Sequence, residues 1–184
     1  MTLDEWAALD EDAEGELVDG VLEEEEVPSV EHELVVMWIG AMLRAWGAAR
    51  GALVLGSEAK YAVTAKRGRK PDVAMYLPGS PKPARRGLVR AAPDVAVEVV
   101  SPTARDARRD RIDKLEDYAA FGVRFYWIVD PDLRAVEMYE LGADGSYTRR
   151  VSATGGVIER IPGCHGLSLD LAALWSELDA LPAD

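Results

Sequence analysis

The sequence predicts a mixed α/β (α+β) fold, in which short strands are interleaved with two long amphipathic helices. Three observations lead there. Pro93-Asp94-Val95-Ala96-Val97-Glu98-Val99-Val100 is dominated by β-branched residues and bounded by Pro-bearing turns, which reads as a strand. Phe125-Tyr126-Trp127-Ile128-Val129 is continuously apolar, the pattern of a buried central strand. Leu34, Val35, Trp38, Ile39, Met42, Leu43 and Trp46 recur at helical spacing.

The other elements follow in order. Thr2 and Glu5 form a capping box for a short helix. Asp19-Gly20 between Glu16-Leu17-Val18 and Val21-Leu22 signals a hairpin, and Glu23 to Glu26 is an acidic run expected at an exposed strand end. Ser29 caps the first long helix, which closes near Gly47 and Gly51. Ala52 to Val63 reads as strand broken near Gly56, Lys66 to Lys70 as a basic turn, and Pro71 to Tyr76 as strand. Pro78 to Arg90 is a long Pro-rich basic loop. Thr103 caps the second long helix, with Arg105, Asp106, Arg108, Arg109 and Arg111 on its polar face and Ile112, Leu115, Tyr118 and Ala119 on its apolar side, and Gly122 ends it. Two antiparallel strands, Ala135 to Leu141 and Tyr147 to Ser152, join through Asp144-Gly145, and a C-terminal helix spans Leu169 to Leu178.

The bounds agree with one domain over residues 1–184. Apolar content of 48% and charged content of 29% are those of a soluble globular protein. The single cysteine forms no internal disulfide, so a cytoplasmic setting is expected. Nothing at the N-terminus resembles a signal peptide, so none is expected, and no apolar run approaches the roughly 18–20 residues that span a bilayer. The net charge is −12, yet the first basic residue is Arg44 and the cations concentrate between Lys60 and Arg124. That basic middle is either a solvated surface balancing an acidic one or a groove for phosphates.

The chemistry-bearing residues are few. Cys164 and His165 lack a second ligand pair at zinc spacing. No GxSxG, P-loop or dinucleotide fingerprint is present, and two histidines exclude a His-rich metal site. Carboxylates and lysine remain, a donor set suited to Mg²⁺ or Mn²⁺. Strand alternation puts Asp94, Ala96, Glu98 and Val100 on one face and Val95, Val97 and Val99 on the other. Glu98 among valines either points to solvent or has a cation against it. Asp72, at the start of another apolar run, raises the same question. Asp110, Lys114 and Tyr118 share one helical face, so Asp110 can hold Lys114 while it reaches inward. A purely structural ion-pair network is the competing reading of this set, and a surface or cap role competes for His32.

The order Glu16-Leu-Val-Asp-Gly, Glu31-His32, Pro71-Asp72, Glu98-Val-Val-Ser-Pro, Lys114 with Tyr118, Tyr126-Trp-Ile-Val-Asp-Pro and Pro162-Gly…Leu-Ser-Leu-Asp resembles the Uma family of restriction-endonuclease-like proteins, in the PD-(D/E)XK nuclease superfamily. The resemblance runs from Leu3 to Leu178. It implies a restriction-endonuclease-like central mixed sheet flanked by helices. Asp72 matches the Asp of the PD element and Glu98 the (D/E). Val100 stands where the motif has Lys, and Lys114 on the following helix is the match. Glu16 matches the N-terminal acidic residue of the site, and His32 a position near it.

The resemblance implies a Mg²⁺- or Mn²⁺-dependent endonuclease acting on nucleic acid, with DNA the expected substrate. Asp72, Glu98 and the Val99 carbonyl would hold the metal. Glu16 and Lys114 would complete the catalytic set, with His32, Asp110 and Tyr118 as accessories. Lys66, Arg67, Arg69, Lys70, Arg85 and Arg86 would contact phosphates. A homodimer is also implied. Two alternatives stand beside it: a catalytically inactive nuclease-fold binding protein, and an acidic partner-binding dimer without nucleic acid.

Overall fold

The computed structural model describes residues 1–9, 15–23, 27–101 and 108–182. The readings at Glu24 to Glu26, the Thr103 cap, Arg105 and Asp106 lie outside the described residues.

A six-stranded mixed sheet forms the centre. Its strands are β3 (Leu53–Leu55), β6 (Val73–Tyr76), β7 (Val95–Val99), β8 (Phe125–Asp130), β9 (Ala135–Leu141) and β10 (Tyr147–Ala153), in the order β10-β9-β8-β7-β6-β3. Only β7 and β8 pair in parallel; every other neighbour is antiparallel. The parallel pair follows from the long connection through the second helix, because a tight hairpin joins only antiparallel strands. As the continuous apolar run predicts, β8 is buried along its whole length.

Strand alternation sorts the core into two layers. Val95, Val97, Val99, Phe125, Trp127 and Val129 pack with α2 (Val30–Ala48) and α4 (Leu171–Asp179). Ala96, Val100, Tyr126 and Ile128 face the other way, against Tyr118 of α3 (Lys114–Phe121) and against Tyr61 and Val63. Glu98 belongs to this second, α3-facing layer by its register.

A smaller sheet lies beside the first, ordered β2-β1-β5-β4, from β1 (Glu16–Val18), β2 (Val21–Glu23), β4 (Tyr61–Ala62) and β5 (Gly68–Arg69). The Asp19-Gly20 turn has positive φ at both residues, as a tight two-residue hairpin requires. The short helix α1 (Leu3–Ala7) carries the predicted capping box between Thr2 and Glu5 and buries Trp6 completely. A Cβ on Gly68 would come within 2.2 Å of the Trp6 ring, so only glycine lets the indole lie against β5.

The second helix departs from its sequence pattern. Arg109–Asp113 is a π-helical turn leading into α3. Its inward side is polar: Asp110, Lys114 and Asp117 are buried beside Tyr118, while Ile112, placed on the apolar side by spacing, is 49% exposed. The Leu169-to-Leu178 reading begins instead with β12 (Leu169–Asp170), which pairs with β11 (Val157–Ile158); Asp170 then caps α4.

Candidate metal and phosphate site

The antiparallel pairing of β6 with β7 puts the start of one strand beside the end of the other. Asp72 therefore reaches Val99, whose backbone N–H donates to Asp72 Oδ2 at 2.7 Å. His32, in the first turn of α2, brings Nε2 to 3.4 Å from the same oxygen. Glu98, one residue earlier on β7, turns to the α3 side and is 2% exposed.

Lys114 answers the question that Glu98 raised. Its ammonium donates to Glu98 Oε2 at 2.7 Å and lies 3.4 Å from Asp110 Oδ1 and 3.6 Å from Glu16 Oε1. Tyr118 OH donates to the other Glu98 oxygen at 2.5 Å. The i, i+4, i+8 spacing of Asp110, Lys114 and Tyr118 does bring all three to one place, and the π-turn carries Asp110 inward with them.

Glu16 enters from the smaller sheet. Its Oε2 accepts from Arg69 at 2.8 Å, and its Oε1 accepts from the Lys70 backbone N–H at 2.8 Å. Arg69 also donates through Nε and a terminal nitrogen to Asp117 Oδ2, at 2.8 and 2.6 Å. Arg67 bridges Asp117 Oδ1 at 3.0 Å and grips Asp19 with two nitrogens, at 3.1 and 2.8 Å.

Burial and crowding set the charge states. Burial pushes the Glu98 carboxyl well above the usual range; Lys114 opposes this, and Asp72, Asp110 and Glu16 add to it. Asp110 is raised for the same reasons, with Arg109 joining Lys114 in opposition. Glu16 is equally buried, yet the opposing pull of Lys114, Arg69 and the Lys70 N–H holds its pKa down. Burial works against the Lys114 ammonium too, and Glu16, Glu98 and Asp110 together raise its pKa well above the ordinary value. Around His32, Asp72 and Glu33 outweigh burial and raise the imidazole.

The structure thus gathers Glu16, Asp72, Glu98, Lys114, His32, Asp110 and Tyr118 into one region. The cations divide. Lys66, Arg85 and Arg86 are exposed, and Lys70 is half-buried with its ammonium 3.3 Å from Glu58. Arg69 corrects the sequence reading: grouped there with the phosphate contacts, it is 1% exposed and locked between Glu16 and Asp117. Arg67 is 28% exposed and shared between Asp19 and Asp117. Sequence reasoning missed Asp117. Its position, one helical face with Asp110 at a spacing of seven, was a usable signal once Asp110 was singled out.

The donor chemistry suits a hard divalent cation. Three buried carboxylates, Glu16, Glu98 and Asp110, surround one ammonium, Asp72 lies at the neighbouring Val99 N–H, and buried Asp110 Oδ1 accepts no hydrogen bond among the described residues. Among the described residues, no three Asp, Glu, His or Cys side chains stand close enough to share one ion as placed.

Comparison with known proteins adds the family. A comparison with curated proteins finds no match. Among solved structures, a protein from Anabaena variabilis described as a "putative nuclease belonging to DUF820" superposes with a TM-score of 0.77 at 18% identity, over 97% of this chain and 99% of that one. At that identity the likeness establishes the shared fold. The family model Uma2, described as "Putative restriction endonuclease", matches residues 2–172. With nearly the whole length matched and the mixed sheet shared with that nuclease-fold neighbour, the chain belongs to the Uma2 family.

Proposed function

We propose that this protein is a divalent-metal-dependent endonuclease that hydrolyses nucleic-acid phosphodiester bonds, with DNA as substrate. The observation that carries the reading is the gathering of Glu16, Glu98 and Asp110 around Lys114, with Asp72 held at the neighbouring Val99 N–H where β6 begins and β7 ends. Asp72, Glu98 and the Val99 carbonyl would hold Mg²⁺ or Mn²⁺. Bound there, the ion would lower the pKa of a water ligand and offset negative charge on the scissile phosphate.

The chain's own residues do the rest. Lys114 supplies a fixed positive charge, already oriented by three carboxylates, for the attacking water or the phosphate. Tyr118 fixes the second Glu98 oxygen and so the rotamer of the carboxylate. Arg69 and Asp117 position Glu16, and His32 positions Asp72. Exposed Lys66, Arg85 and Arg86 would contact backbone phosphates, placing the strand without reading its sequence.

The test is cleavage of DNA and RNA with Mg²⁺ or Mn²⁺ by the wild type, Asp72→Ala and Glu98→Ala. Both substitutions should abolish cleavage while the circular dichroism spectrum is kept. Cleavage that survives both removes the proposal. One observation favours a second reading, a nuclease-fold protein that binds without cutting: Lys114 and Tyr118 already satisfy both Glu98 oxygens. Salt-dependent DNA binding with no cleavage under any divalent ion would select it.

A further inference from the structure

The helix α2 is apolar on both sides, although only one side meets the core. Val35, Ile39 and Leu43 are fully buried against the sheet. On the opposite face, Val30 and Met37 are each 70% exposed, and Ala41 and Ala48 are exposed beside them. From Leu34 to Leu43 the helix carries no charged or polar side chain. A surface helix ordinarily presents charge to solvent, and one that is apolar all round is ordinarily covered.

Gly40 is the second observation. A glycine in a helix interior weakens it relative to alanine, so its presence calls for a reason. Within the fold there is none, because a Cβ added at Gly40 meets nothing within 4 Å. The free space lies outward, where a glycine admits another side chain close to the backbone.

Charge placement identifies the occupant. Glu33 and Arg44 lie on the outward side of α2, eleven residues and about 16 Å apart along the axis. The midpoint between them falls level with Met37 and Gly40. If a second α2 crosses antiparallel about a two-fold axis at that midpoint, each Met37 falls over the partner helix at its Gly40–Ala41 step. The same axis sets each Glu33 against the opposite Arg44. Arg44 makes no ion pair among the described residues, and Glu33 has only His32 Nδ1 nearby, at 3.6 Å. An isologous two-fold contact needs a surface complementary to itself, and this face is.

We infer that the outward face of α2 is the docking surface for a second copy of this chain, packed antiparallel with Met37 seated at Gly40–Ala41 and Glu33 paired with Arg44 across the two-fold. A single pair of crossing helices makes a small contact, and the dimer is expected to dissociate in the micromolar range. It does not depend on the nuclease reading, and its test uses no activity.

The experiment is sedimentation equilibrium of the full chain from about 1 to 200 µM, the range that brackets such an affinity. The wild type should show a monomer–dimer equilibrium. Met37→Asp, at a solvent-exposed position, should leave the far-ultraviolet circular dichroism unchanged and raise the dissociation constant at least tenfold. Glu33→Arg and Arg44→Glu should each weaken association, and the double swap E33R/R44E should restore it. A wild type that stays monomeric at every concentration overturns the inference and leaves the face to a different partner. A dimer indifferent to Met37→Asp, or single swaps that the double swap fails to rescue, overturns it equally.

Discussion

Lys114 Nζ lies 2.7 Å from Glu98 Oε2, and each side chain is 3% exposed. The pair is the centre of the candidate site and its greatest risk to the fold. Two opposite charges removed from water are tolerated only while both are present. Replacing Lys114 by Met leaves Glu98, Glu16 and Asp110 facing one another without the ammonium. Proton uptake by Glu98, which burial already favours, offsets part of that cost. We expect Lys114→Met to destabilise by about 3 kcal/mol, the low end for a broken buried pair. Urea unfolding at neutral pH measures it, and the loss should shrink as the pH is lowered.

His32 should give the protein a pH-dependent stability around neutrality. Its pKa is raised in the folded state, because Asp72 and Glu33 outweigh burial. A folded chain that holds the proton more tightly gains stability below the unfolded value near 6.5 and loses it as pH rises through the folded value. Wild-type stability should therefore fall as the pH is raised above about 6.5, and His32→Gln should flatten that slope. Denaturation midpoints across this window decide the matter; equal slopes in the two proteins would exclude the Asp72 contact as its source.

Metal binding should follow the carboxylates. Isothermal calorimetry with Mn²⁺ or Mg²⁺ should give a heat that vanishes in Glu98→Ala. The titration should be run both alone and with a non-cleavable oligonucleotide, because a phosphate oxygen can complete a shell that protein oxygens begin. No heat in either condition would reduce Glu98 to a structural partner of Lys114 and Tyr118.

Arg69 and the Arg85–Arg86 pair should behave in opposite ways. Arg69→Met breaks a buried network with Glu16 and Asp117, so it should destabilise by about 3 kcal/mol or more. Arg85→Ala with Arg86→Ala touches exposed side chains, so stability should hold within about 0.5 kcal/mol. Their effect should instead appear in DNA affinity, whose dependence on log salt should become shallower by about 2.

Gly68→Ala should damage the fold without touching a charge. The added methyl meets the Trp6 ring within 2.2 Å, and Trp6 is fully enclosed with its indole N–H on the Gly15 carbonyl. Overpacking of this kind costs about 1–3 kcal/mol. Thermal unfolding of the variant tests it.

The parts of this architecture that were legible in the sequence are those set by local rules. Strand alternation separated Glu98 from Val97 and Val99, helical spacing aligned Asp110 with Lys114 and Tyr118, and Asp19-Gly20 announced its hairpin. What failed was the inference from charge to exposure at Arg69, although it held for Lys66, Arg85 and Arg86. Arg69 in a basic turn looks solvated, and only the long-range pairing of β5 with β1 brings it to Glu16. Ile112 followed a regular helical period, which the π-turn displaces by one residue. Asp117 shares a helical face with Asp110, but its partners Arg67 and Arg69 lie on and just before β5, about fifty positions earlier.

The two sheets meet across a connection of three residues, Lys70, Pro71 and Asp72, between β5 and β6. One end of that connection gives its N–H to Glu16, and the other gives its carboxylate to Val99. Because successive residues of extended chain face opposite ways, one inserted or deleted residue there would invert either Arg69 or Asp72 relative to its partners. The segment is therefore length-locked. On the way from β6 to β7, Val89 is fixed by backbone hydrogen bonds to Lys60 and Ala62, whereas the stretch from Pro78 to Gly87 before it carries no such pairing and can grow or shrink, so lineages of this fold should differ in length there and keep the count fixed between Arg69 and Val73.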